Sequence, residues 1–157
     1  MSDELQHLIA DLEEQEKRLV FPRFEEADAW ALGCLLVNLA TERRLPVAVD
    51  IRRGQQQLFH AGLPGSTADN DTWIERKVRV VYRFAASSYR IGRELAAKGR
   101  ELNEAMGVEP IRYAAHGGAF PIRVPGAGVV GVVTVSGLPQ AEDHALVVEA
   151  VETFLGD

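Results

Sequence analysis

Two strand pairs, each closed by a glycine-containing turn and separated by helical stretches, predict an α+β fold: an antiparallel sheet covered by helices. The first pair begins at Pro46. In 47–53, VAVDIRR, the residues Val47, Val49 and Ile51 alternate with Ala48, Asp50 and Arg52, Gly54 offers a turn, and QQQLFHA returns over 55–61. The second pair is AHGGAFPIRV, a Pro-Gly-Ala-Gly turn, and VVGVVTVSG over 129–137. Tight turns of this kind join antiparallel neighbours, whereas parallel strands need a long crossover.

The helices follow from capping and periodicity. Residues 3–19 begin after Ser2, a natural N-cap, carry acidic residues early and Lys17 and Arg18 late, and so suit the helix dipole. The apolar stripe Leu5, Leu8, Ile9, Leu12 and Leu19 is narrow, which suits docking on another subunit better than a deep core. Pro22 interrupts, and 25–43 forms a second helix whose apolar content, Trp30, Leu32, Leu35, Leu36 and Leu39, predicts burial. The loop LPGSTADND leads to a long basic helix over about 71–90, with Ile74, Val78, Val81 and Ala85 on one stripe and Trp73, Val80 and Phe84 beside it. The last helix, 141–155, places His144, Val148, Val151 and Leu155 on one line.

With 157 residues, 46% hydrophobic and 25% charged, the chain suits one domain, 1–157, and excludes disordered, collagen-like and coiled-coil classes. No apolar run approaches the roughly 20 residues of a membrane span, and the N-terminus has no signal-peptide pattern. A single cysteine, Cys34, forms no internal disulfide. The expectation is a cytoplasmic protein with no membrane partner.

The net charge of −6 is unevenly spread. The segment 72–100 is strongly basic, and the segments on either side are acidic. Such a block can attract phosphate or carboxylate groups, or pair with the acidic ends of the same chain or of a neighbouring subunit, and the pairing role is the expected one. A nucleic-acid partner is not expected, because the pI is near 5.3 and no binding motif is present.

Few residues carry recognisable chemistry. The four histidines lack zinc-site spacing, so no metal is expected. His116 precedes Gly117 and Gly118, a pair that lets backbone approach a ligand closely. The same three residues also suit a plain tight turn. His60 is a weaker candidate, His144 reads as a packing residue, and Cys34 as an inert buried thiol. Arg52 and Arg53 point to opposite faces; one of them can hold a carboxylate, and both equally suit solvated edge positions that discourage sheet-to-sheet aggregation. Trp73 and Lys77, one turn apart, can form an aromatic floor with an anion clamp, although Trp73 also reads as a core anchor. No nucleophile elbow, Walker loop or dinucleotide fingerprint appears, and Ser136 reads as a turn residue.

Three stretches carry a family resemblance: PVAVDIRRGQQQLF, the Arg76-Lys77 region, and GGAFPIRVPGAGVVGVVTVSG followed by Asp143. Together they resemble the haem-degrading-domain (HbpS/GlcG-like) proteins over about 30–155. The runs DIRRGQQQLFHAGLPG, NDTWIERK and HGGAFPI are nearest to that family's small bacterial and fungal branch. The resemblance implies a profilin-like antiparallel sheet of about five strands with helices on both sides, assembled into a homo-oligomer. It also implies haem, or another small anionic molecule, as ligand. Haem binding asks for an axial side chain, an apolar slot and basic groups for the propionates. His116, Trp73, Phe120, Arg53 and Lys77, with Gly117 and Gly118 at the turn, are the residues expected to supply them. Two rival readings stand beside this one. One is an assembly protein without a small-molecule site. The other is a cofactor-free enzyme acting on a small acid through Asp50, His116 or Ser136.

Overall fold

The computed structural model describes residues 2–156. Helices α1 (Asp3–Arg18) and α2 (Glu26–Glu42) lead into strands β1 (Ala48–Arg53) and β2 (Gln56–Gly62). Helices α3 (Ala68–Phe84) and α4 (Ser88–Ala97) follow, then strands β3 (Ala119–Val124) and β4 (Gly128–Ser136), and finally α5 (Gln140–Leu155). The described strands form one antiparallel sheet of order β2-β1-β4-β3. Both hairpins are as the sequence predicts, but the sheet has four strands rather than about five. Between α4 and β3 the chain makes two single-turn 3₁₀ helices, Glu104–Met106 and Pro110–Arg112. Gly107 there is left-handed (φ 80°) and Pro110 has no N–H to give a ladder.

Alternation along the strands divides the apolar side chains between the two faces of the sheet. Val49, Ile51, Phe120, Ile122, Val133 and Val135 face α2 and α5 and form the main core with Leu32, Leu36, Val147 and Val151. Ala48, Ala119 and Val132 face α3 and pack on Ile74, Val78 and Val81. The α3 face also carries polar groups: Asp50, Thr134 and Ser136 are all buried. Small residues on this side bring α3 close to the sheet.

The long basic helix is in fact two. Ala85 is left-handed (φ 53°) and ends α3, and the Ser87 hydroxyl accepts from the Arg90 N–H at 3.1 Å to start α4. The basic side chains of α3 are largely used within the chain. Arg76 donates to the carbonyls of Pro110 and Tyr113, Arg79 to that of Arg112, and Arg83 to that of Met106. These bonds tether the 3₁₀ segment to α3. Pairing with the acidic ends also occurs, through Lys77–Asp143 and Arg90–Glu16.

One further expectation is revised, and α1 finds contacts within the chain. Trp30 is 65% exposed on α2, edge-on to Phe59, because α2 turns only its Leu32–Leu36 side to the core. In α1, Ile9 and Leu12 are buried within the same chain, and the helix packs along α4. No helix among the described residues is long and apolar enough to cross a membrane.

Candidate functional site

The His116-Gly117-Gly118 turn enters β3 where α3, α4 and the start of α5 converge. Gly118 has φ +135°, and a Cβ there would meet the Val135 carbonyl and lie 2.8 Å from Lys77 Nζ. A Cβ at Gly117 would press on the Gln140 carbonyl. The Gly117 N–H donates to Gln140 Oε1 at 3.0 Å, and Ser88 Oγ accepts from the Ala119 N–H at 3.1 Å. The turn is therefore seated on α4 and α5, and the glycines leave no slack beneath it.

Two clefts meet at this turn, with His116 and Gln140 on the wall between them. The larger, about 990 Å³, is lined by Arg76, Arg93 and Arg100 together with Leu95, Tyr113 and His116. The smaller, about 260 Å³, is lined by Asn70, Trp73, Lys77, His116, Ser136 and Asp143. His116 stands edge-on to Trp73 at 5.5 Å between ring centroids, and the Arg76 guanidinium lies over the same indole at 4.6 Å. Partial burial, then the charges of Lys77, Arg76 and Arg93, hold the His116 pKa below its ordinary value. At neutral pH the ring is uncharged and keeps one nitrogen lone pair. Arg76 and Arg93 line the larger cleft, and their Nε atoms are buried without a hydrogen-bond partner. Buried donors are normally satisfied.

Lys77 is differently placed from a free clamp. Its side chain is 4% exposed, and Nζ donates to Asp143 Oδ2 at 3.2 Å and to the Val135 carbonyl at 3.3 Å. Asp143 in turn accepts from the Gly137 and Leu138 N–H groups at 3.3 and 3.0 Å. Burial lowers the Lys77 pKa and raises that of Asp143.

Of the residues singled out in the sequence, Trp73, Lys77 and His116 meet at the smaller cleft, with Gly117 and Gly118 shaping the turn. Arg53 lies elsewhere: it points toward α2 and pairs with Glu26 at 3.0 Å. Phe120 is fully buried in the core on the α2–α5 side. Asp50 does not join His116 and Ser136. It accepts from Arg52 Nε at 2.7 Å and Gln57 Nε2 at 2.5 Å, and it lines a separate cleft with His60 and Asp71. The sequence reading missed Arg93 and Arg100 as lining residues. Their basic block was visible, but their position depends on α4 being a separate helix.

Comparison with known proteins shows the family and the fold. Residues 24–152 match the family described as haem degrading protein HbpS-like. A UPF0303 protein of Streptomyces coelicolor is 62% identical over 149 residues, covering 95% of this chain and 94% of its own length. The crystal structure of the Ybr137w protein superposes with a TM-score of 0.85 at 35% identity, covering 94% of this chain and 87% of that one. The PduOC:haem complex shares the fold, with a TM-score of 0.68 at 16% identity, covering 82% and 92% of the two chains. With the match spanning both hairpins, α3, α4 and most of α5, the chain belongs to the HbpS-like haem degrading protein family.

Proposed function

We propose that this chain is a homo-oligomeric binder of haem or of another small anionic molecule, held in the larger cleft beside His116. The observation that carries the reading is one cleft in which an imidazole uncharged at neutral pH stands among Arg76, Arg93 and Arg100. A neutral ring nitrogen is the form that binds iron, and carboxylates are the acceptors that arginine forks match best. Leu95, Ala96 and Leu102 add apolar wall on the same cleft.

The residues therefore fit haem. His116 would hold the iron, Arg76, Arg93 and Arg100 would face the propionates, and Trp73 would fix the imidazole ring from its edge. Iron supplies the redox chemistry when the group is bound; the chain's own part is to bind, orient and partly exclude water. The family's description as haem degrading, and a shared fold with a protein crystallised as a haem complex, support this choice of ligand. Arg53, Phe120 and Lys77 have no part in it, because their partners or positions take them away from the larger cleft.

A haemin titration followed at the Soret band, with size exclusion on the same sample, tests the proposal. A saturable shift at about one haem per subunit, weakened at least about tenfold in His116→Ala, is the expected result. Unchanged affinity in that variant removes His116. Absent or non-saturable binding by an intact oligomer leaves an assembly protein.

A further inference from the structure

The smaller cleft holds a group that the haem reading does not use. The chain has three lysines, Lys17, Lys77 and Lys98; Lys17 and Lys98 are exposed, and Lys77 is buried. Lys77 Nζ sits against a carboxylate in a cleft of about 260 Å³, beside Trp73, His116 and Ser136. A structure that needed only to join α3 to α5 could do so with apolar side chains at equal or better stability, since removing both ions of a pair from water is costly. Here the amine is kept in a close-packed setting. A Cβ at Gly118 would meet the Val135 carbonyl first and lie 2.8 Å from Nζ, and two backbone N–H groups fix the carboxylate beside it.

We propose that Lys77 is a carbonyl-condensing amine, with Asp143 as its proton carrier, acting on a small 2-oxo acid in this cleft. The proposal goes beyond haem binding and does not depend on it. In the first step the Lys77 ammonium passes a proton to Asp143. The free Nζ lone pair then attacks the carbonyl carbon, a C–N bond forms, and the carbonyl π electrons move to oxygen, which takes the proton from Asp143. In the resulting carbinolamine the nitrogen passes a second proton, by way of Asp143, to the hydroxyl, which leaves as water. Lys–NH₃⁺ and the ketone become an iminium ion and one water, with no oxidant or reductant involved. Burial favours the neutral form of both partners, lysine downward and aspartate upward, which eases the first transfer. The substrate class follows from the lining. The Asn70 amide, the Ser136 hydroxyl and the His116 N–H are hydrogen-bond donors suited to a carboxylate, Arg76 and Arg93 lie behind His116, and Trp73 offers an apolar wall for a short alkyl group; the exposed Asp69 also lines this cleft.

The full-length protein incubated with pyruvate and cyanoborohydride, then mapped by peptide mass spectrometry, tests this directly. The expected result is a stable adduct at Lys77, formed at least about tenfold faster than at Lys17 or Lys98. That advantage should vanish in urea, and acetone, which lacks the carboxylate, should label Lys77 no faster than Lys98. Asp143→Asn should slow labelling at Lys77 and leave Lys98 unchanged. Labelling of Lys77 no faster than the exposed lysines overturns the proposal. Equal labelling by acetone overturns the 2-oxo acid assignment, and an undiminished rate in Asp143→Asn overturns the role of Asp143. Each readout is independent of haem binding, so either proposal can fail alone.

Discussion

His116 and Trp73 meet edge to face, with ring centroids 5.5 Å apart and planes at 71°. The contact shields one side of the imidazole, and its pKa lies below 6.5 because of burial and the neighbouring cations. Iron coordination needs the unprotonated nitrogen. A lowered pKa extends that form to more acidic solution, so haemin affinity should hold as pH falls through about 6.5 and drop only below the lowered value. Trp73→Ala opens the ring to water and should move the drop to higher pH. Soret titrations across pH on both proteins check this, and coincident profiles would remove Trp73 from the site.

His144 presents the same chemistry without a cleft. Its ring is buried between Tyr89 and Phe120, Nε2 contacts Gln15 Oε1 at 2.9 Å, and Nδ1 has no partner. Burial takes its pKa from 6.5 to about 4. The unfolded chain therefore binds more protons between these values, so this stability is fully present above about 6.5 and is lost as pH falls toward about 4. The full loss is about 3 kcal/mol. Denaturant midpoints at several pH values should decline in the wild type, and His144→Leu should flatten that part of the curve whatever its stability at neutral pH.

Gly118 and Gly126 are both left-handed, yet their neighbourhoods differ. A Cβ at Gly118 would run into the Val135 carbonyl and the Lys77 ammonium, while Gly126, φ +81°, has nothing within 4 Å. Gly118→Ala should cost more than about 2 kcal/mol and disturb the Lys77–Asp143 pair. Gly126→Ala should cost about 1 kcal/mol, from backbone strain alone. Equal costs in thermal or chemical denaturation would mean that the packing around Gly118 is slack.

The hairpins were legible because alternation and turn glycines are local signals. The break between α3 and α4 was harder to read. Ala85 carries a Cβ and normally propagates a helix, so its left-handed geometry follows from tertiary packing, although Ser87 supplied a true N-cap signal. The same break explains the partial legibility of the site. His116-Gly117-Gly118 stands out in the sequence, whereas Arg93 and Arg100 reach the cleft only because α4 turns away from α3. Strand alternation sends Arg52 and Arg53 to opposite faces, as expected. Which face held the cleft depended on the helices that cover them, and Arg53 faces α2. Asp143 was visible as a helix-start acid, but its ion pair spans 66 residues of chain, which no local pattern encodes.

Glu16 shows how α1 is held. Its side chain is 4% exposed and lies between two guanidinium groups, Arg90 Nε at 3.0 Å and Arg123 Nη1 at 3.2 Å, so one carboxylate joins α1, α4 and β3. Ile9 and Leu12 are buried in the same chain, while Leu5 and Leu8 remain partly exposed on α1. Glu16→Gln keeps the shape but leaves Arg123 without its counter-charge and Arg90 with only Glu94, at 4.0 Å. The expected cost is about 2–4 kcal/mol, because breaking a buried pair strands its partner. Amide exchange should quicken first across 3–18, while β1 stays protected in the centre of the sheet. Uniform loss of protection in α1 and β1 would show instead that α1 unfolds only together with the sheet.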